Sequence, residues 1–149
     1  MRRGRAREAE GLSVYEVETG NLVQSVGFLK SVLWPIGCSP DGIVGDFEGG
    51  VELKCPKFTT HWHYLRGRVL PSEYAAQVTH SLLVTGLPWW DFCSYCPEFA
   101  GEARLFRVRV CRDDVDLDSY LLATKLFLGE VETMKASLRE YDAPELAHA

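Results

Sequence analysis

An α/β domain built on a mixed sheet covered by helices is the fold class that this sequence predicts, on three observations. Apolar residues recur at helical spacing near the start, in the middle and at the end of the chain, and short β-branched or alternating runs fill the intervals. Turn residues, chiefly Ser39-Pro40-Asp41-Gly42 and the segment Gly45 to Gly50, punctuate those runs. The chain has 149 residues, 46% hydrophobic and 25% charged, which suits one domain over 1–149 with its own core.

Taken in order, residues 5–16 place Ala9, Leu12 and Tyr15 or Glu16 on a helical stripe that Thr19-Gly20-Asn21 ends. Leu22 to Leu29 and Ser31 to Gly37 are apolar and β-branched and read as extended segments. Pro40 forces Ser39 into extended geometry, and Asp41-Gly42 favours a tight turn. Ile43-Val44 and Val51 to Lys54 then form a hairpin across the glycine-rich loop between them. A loop is expected around Pro56, His61-Trp62-His63-Tyr64 and Pro71, after which Ser72 caps a helix to about Leu83. Trp90 to Tyr95 and Leu105 to Val110 are two further strands. From about Asp114 to Tyr141, Leu117, Leu121, Leu128, Val131, Met134 and Leu138 recur at intervals of three, four and seven, a long amphipathic helix whose stripe should seal the sheet.

Composition excludes several classes. Apolar runs are far too short to cross a bilayer, and no secretory signal is visible, so a cytoplasmic protein with no membrane partner is expected. Sixteen Lys and Arg against 21 Asp and Glu give a formal net charge of −5, so any contact with a polyanion must come from local basic patches. Arg2-Arg3-Gly4-Arg5-Ala6-Arg7 is one; Lys57, His61, Arg66 and Arg68 are the other, in the loop that follows Lys54. Trp62, Tyr64, Trp89 and Trp90 are candidate base-stacking surfaces, with Trp89-Trp90 better placed in the core and at the sheet edge. Five cysteines, with Cys93-x-x-Cys96 lacking a second close pair, read as free thiols in a reducing compartment.

Chemistry concentrates at the hairpin. Alternation in a strand puts Glu52 and Lys54 on one face and Val51 and Leu53 on the other. A carboxylate and an ammonium flanked by apolar residues are costly to desolvate, and chains keep such a pair with a partner or a task. Asp41 stands at the far end of the hairpin's first strand, where the turn back brings it near Glu52. Two carboxylates beside a lysine suit Mg²⁺, with Mn²⁺ as a possible substitute, a hard cation that takes few protein ligands and acidifies a bound water for attack on phosphorus.

The ordered set Ser39-Pro40-Asp41-Gly42, Glu52-Leu53-Lys54-Cys55-Pro56, Tyr74-Ala75-Ala76-Gln77-Val78, Val84-Thr85-Gly86 and Trp90-Asp91-Phe92-Cys93-Ser94-Tyr95 resembles the YqaJ-like viral recombinase, or phage lambda-type exonuclease, family of the PD-(D/E)xK nuclease superfamily. The resemblance runs from Arg3 to about Tyr141. It implies a restriction-endonuclease-like core in which Asp41, Glu52 and the Leu53 carbonyl bind metal and Lys54 acts on the nucleophilic water. Arg3-Gly4 followed by Glu8 looks like the family's RGxxxE helix, whose glutamate completes the acidic site, with Glu10 as the fallback in a slipped register. Gln77 matches the helix glutamine beside the metal, and Tyr74 and Ser81 share its face, while Ala75, Val78 and Leu82 should be core.

The resemblance further implies a Mg²⁺-dependent exonuclease that hydrolyses one strand from double-stranded DNA ends, 5′ to 3′, in phage-type recombination. Its expected partners are DNA, a single-strand annealing protein and further copies of itself, commonly in a trimeric ring. Lys57, Arg66, Arg68 and Tyr74 are the expected DNA contacts. Family members carry a helical segment with a 5′-phosphate-binding basic residue before the RGxxxE helix, whereas Met1 lies immediately before it here. The alternative expectation is therefore a truncated prophage remnant, catalytically impaired, that only binds DNA or oligomerises.

Overall fold

The computed structural model describes residues 2–142. The side chains of Arg2, Arg3 and Arg5 lie outside the described residues, and with them most of the first basic patch. Two units are distinguishable, 1–115 and 116–149. The first comprises α1 (Arg2–Thr19), β1 (Val23–Gln24), β2 (Leu29–Lys30), β3 (Gly37–Cys38), β4 (Gly42–Val44), β5 (Gly49–Lys54), α2 (Phe58–Gly67), α3 (Ser72–Thr85), β6 (Trp89–Tyr95) and β7 (Leu105–Cys111). The second is a single helix, α4 (Leu117–Asp142).

The expected mixed sheet is present, with five strands in the order β1-β4-β5-β6-β7. β4 and β5 form an antiparallel hairpin with Gly42 opposite Val51, and β5 and β6 run parallel with Lys54 opposite Ser94. A parallel neighbour needs a crossover long enough to return the chain to the same end of the sheet. α2 and α3 supply it. β7 closes the unit antiparallel to β6, with Asp91 opposite Arg109.

Close approach explains why β5 opens on two glycines. A side chain at Gly49 would run into the Trp89 indole, and one at Gly50 into Trp90, which is fully buried. Gly11 does the same for α1: a Cβ there would stand 2.9 Å from Leu53 Cδ1, so the helix rides directly on the central strand. Tyr15, Val44, Val51, Leu53, Cys93, Tyr95 and Leu105 form the core under it.

Four expectations need correction. The segment 55–71 is not a loop, because α2 occupies most of it, held by the buried His61 and Tyr64. Residues 22–37 are largely irregular, with only the two-residue strands β1 and β2 in them and Gly37 opening β3. Their β-branched side chains have little sheet to join, and Val32 and Leu33 are 98% and 78% exposed. Ser72 is the first helical residue of α3, not its cap; Pro71, extended at φ −62° and ψ 134°, takes the cap position. α3 also runs on to Thr85, where Gly86 at φ 71° stops it and donates its N–H to the Leu82 carbonyl at 3.0 Å.

Along α4, Leu117, Tyr120, Leu121, Thr124, Leu128 and Val131 recur at helical spacing. Leu122, Leu126, Phe127, Met134 and Leu138 are exposed, each above 60%. No helix among the described residues is long and apolar enough to cross a membrane.

Candidate active site

The end of β5 and the start of β4 meet where the hairpin opens, and this places the first two sequence-derived residues. Gly42 pairs with Val51, so Asp41 lies just beyond the ladder beside Glu52. The Leu53 N–H donates to Asp41 Oδ2 at 2.8 Å, fixing that carboxylate against the strand. Glu52 itself is only 2% exposed. Lys54, two residues on and on the same face, donates to Glu52 Oε1, and Gln77 Nε2 from α3 reaches the same oxygen at 2.7 Å. Asp41, Glu52, Lys54 and Gln77 therefore converge from three elements.

The electrostatics of this group are those of two neighbouring carboxylates and one lysine, partly out of water. Burial raises the Glu52 pKa, Asp41 raises it further, and the hydrogen bonds and charge supplied by Lys54 and Gln77 only partly offset this. For Lys54, burial works against the ammonium, yet Glu52 and Asp41 outweigh it and the pKa rises. Lys54 is thus held as a cation. The Tyr74 ring forms its backing, with Nζ 5.7 Å from the ring centroid and Tyr74 stacked on Phe92 at 4.8 Å.

The remaining expected residues sit further out. Glu8 is exposed on α1, where its charge helps to raise the Cys55 thiol to about 11, a shift led by burial and added to by Asp41. Among the described residues no three His, Cys, Asp or Glu side chains are grouped to hold a metal, so Glu8 is not gathered with Asp41 and Glu52 into a three-carboxylate cage. Lys57 precedes α2, Arg66 lies in its last turn, and Arg68 follows it; all three are exposed. Arg68 has φ 54°, the left-handed region in which a side chain is strained, and donates its N–H to the Tyr64 carbonyl at 3.0 Å. Val78, Leu82 and also Ser81 are buried, while Ala75 is half-buried.

Two supporting groups hold this architecture: one was not singled out from the sequence, and the other, His61, was expected in the basic patch after Lys54 but is fully buried and cannot serve there. Asp91, fully buried on β6, accepts from Tyr15 Oη at 2.8 Å, from Arg109 Nε and Nη2 at 2.8 and 2.9 Å, and from Arg107 at 3.4 Å. The Arg109 guanidinium also lies 3.5 Å from the Trp89 ring centroid. This cluster ties α1 to β6 and β7. Its signal was the alternation Arg107-Val108-Arg109 facing a lone carboxylate in an apolar strand. His61 is the other: Nε2 donates to the Ala103 carbonyl at 2.8 Å, which leaves Nδ1 to accept from the Ser94 hydroxyl at 2.7 Å. The buried thiols of Cys93 and Cys96 are pushed up by burial, which favours the protonated form.

The fold is a mixed α/β sheet with an acid–acid–lysine cluster at its hairpin mouth, and comparison places it in a family. The family model of the YqaJ-like viral recombinase domain matches residues 1–88. The chain belongs to that family. Among solved structures, the alkaline exonuclease LHK-Exo from Laribacter hongkongensis is 33% identical, with 96% of this chain and 74% of that one covered at a TM-score of 0.88. A second structure, LHK-Exo in complex with dAMP, matches at 33% identity and a TM-score of 0.87, covering 96% and 73%. No curated protein matches the chain.

Proposed function

We propose that the protein is a Mg²⁺-dependent DNA exonuclease that hydrolyses one strand from the ends of double-stranded DNA in the 5′ to 3′ direction. The observation that carries this reading is Glu52: a carboxylate 2% exposed, beside a second carboxylate, with Lys54 and Gln77 donating to one of its oxygens. Family membership and the exonuclease relative, one of whose structures holds dAMP, support it.

The donor set fits the cation. Burial and then Asp41 raise the Glu52 pKa, a strain on two adjacent carboxylates that a cation would relieve, and hard oxygen donors of this kind, few in number and supplemented by the Leu53 carbonyl and water, suit Mg²⁺. Bound there, the cation supplies a more acidic water and charge for the phosphoryl oxygens. Lys54 would orient the attacking water and offset part of its developing negative charge. Gln77 holds Glu52 in place through Nε2 and has its carbonyl left to accept from water. Glu8 on α1 adds negative charge at the rim, and Lys57, Arg66 and Arg68 bind backbone phosphates, with Tyr74 keeping Lys54 in line.

The test is digestion of linear duplex DNA labelled at either end, with Mg²⁺ or chelator, by the wild-type chain and by Lys54→Ala and Glu52→Gln. Metal-dependent loss of the 5′ label, absent from both folded variants, is expected. Cleavage at the wild-type rate in Lys54→Ala would overturn the assignment.

A further inference from the structure

Helix α2 carries an aromatic surface that the core does not account for. Phe58 and Trp62, one helical turn apart, are 53% and 47% exposed, although rings of this size are ordinarily buried. Phe99, from the segment after β6, lies nearly parallel to both: 4.6 Å from Phe58 with an interplanar angle of 11°, and 6.4 Å from Trp62 at 10°. Beneath them Phe99 rests against the buried His61 ring at 5.1 Å. Three rings are thus held close to one orientation, Phe58 and Trp62 exposed and Phe99 half-buried against them.

Their electrostatic setting is just as particular. In a chain of net charge −5, α2 contains no acidic residue and is bounded by Lys57 and Arg68, with Arg66 in its last turn. The nearest carboxylate in sequence to Phe99, Glu98, is paired with Arg7 at 3.0 Å. Cations that follow a phosphate backbone, interleaved with aromatic faces on which bases stack, are the two ingredients of single-strand recognition. A duplex keeps its base faces covered and has no use for the rings.

The geometry points to a base-stacking platform, Phe58, Trp62 and Phe99, that binds an unpaired stretch of the DNA strand, with Lys57 and Arg66 on its phosphates. The inference rests on the nuclease reading for its biological setting: a nuclease that removes one strand generates unpaired DNA beside its site, and α2 follows directly on the strand that bears Lys54. Base-independent tracking of that strand is the platform's role.

The experiment is equilibrium binding in chelator, so that nothing is cut, of the full chain to labelled oligo(dT), to an abasic oligonucleotide of equal length and to a blunt duplex. Wild type should bind oligo(dT) about 5- to 100-fold more tightly than the abasic strand. Trp62→Ala and Phe58→Ala should each remove most of that difference without changing the salt dependence, and Trp62→Phe should keep it; Arg66→Ala should make the salt dependence shallower. Thermal melting checks the folded state of each variant. Equal wild-type affinity for oligo(dT) and the abasic strand would overturn the proposal, whatever the variants do. So would folded Trp62→Ala and Phe58→Ala with wild-type affinity, or a change of oligomeric mass in place of DNA affinity, which would make the face a protein interface. Cleavage in Mg²⁺ is scored separately: end digestion without base-dependent binding defeats this inference alone, and base-dependent binding without any cleavage defeats the nuclease reading alone.

Discussion

Two buried carboxylates in neighbouring strands are handled in opposite ways. Asp91 is saturated by an arginine fork, a second arginine and a tyrosine hydroxyl, and burial together with Asp91 pushes the Tyr15 pKa up to about 12. Glu52 has a lysine and an amide on one oxygen and a second acid alongside. The first arrangement is closed and holds the fold; the second keeps two carboxylates side by side with one lysine beside them. Arg109→Ala, which leaves a fully buried charge with the Tyr15 hydroxyl and only the longer Arg107 contact as its cationic partner, should cost about 2–4 kcal/mol. Urea denaturation should show it as a lower midpoint at unchanged slope. Cleavage per folded molecule should survive, whereas Lys54→Ala should lose cleavage with little change in that midpoint. The four converging side chains were legible in the sequence because strand alternation and a hairpin return suffice to place Asp41, Glu52 and Lys54, and family resemblance adds Gln77. Asp91 was equally visible in principle, since its strand alternates against Arg107 and Arg109, but a charge pair across two strands is apparent only once their register is known.

Among the elements, α2 was the least legible. Its residues Thr59-Thr60-His61-Trp62-His63-Tyr64 are poor intrinsic helix formers, and Pro56 stands just ahead of it. Packing overrides that preference: Tyr64 donates to Glu73 Oε1 at 2.7 Å, and His61 fastens α2 to β6 and to the Ala103 carbonyl. Such a histidine has a pH signature. Burial lowers its pKa from the ordinary 6.5, so the unfolded chain takes up a proton at a pH where the folded one does not. Its contribution to stability is therefore complete above pH 6.5 and declines as pH falls from 6.5 toward the folded value. Unfolding measured at neutral pH and at about pH 5.5 should show a drop in wild type that is smaller in His61→Gln. The helix end makes a second prediction. Arg68 is held left-handed, where glycine would rest without strain, so Arg68→Gly should stabilise by about 1 kcal/mol while weakening DNA binding and flattening its salt dependence. A more stable variant with unaltered DNA affinity would remove Arg68 from the proposed phosphate contacts. By contrast the β4–β5 hairpin was plain, because Gly45 at φ 57° turns it between two apolar runs, and the body of α3 was plain too, although its ends were not.

For the molecule as a whole, negative net charge sets the conditions of function. Polyanion binding has to work against the general field and through a few cations, so it should weaken steeply with salt, and each phosphate-contacting residue removed should make the slope shallower. The same acidity should make Mg²⁺ a stabiliser of the folded chain. A cation that binds only the native state raises stability by about 2.7 kcal/mol at a hundredfold excess over its dissociation constant. Millimolar Mg²⁺ should therefore raise the melting temperature of wild type but not of Asp41→Asn, as differential scanning would show. Absence of any shift in wild type would remove Asp41 and Glu52 as a metal pair.

The hairpin that carries this pair has its two acids at the open mouth and its turn, Gly45 to Glu48, at the opposite tip. Residues added at the tip lengthen the separation along the chain without altering the spacing at the mouth. Homologues can therefore differ in that interval while preserving the same chemistry, so a search pattern for distant members should leave it variable. For the engineer, the tip is a natural point at which to graft an epitope or a dye-binding peptide away from the four converging side chains.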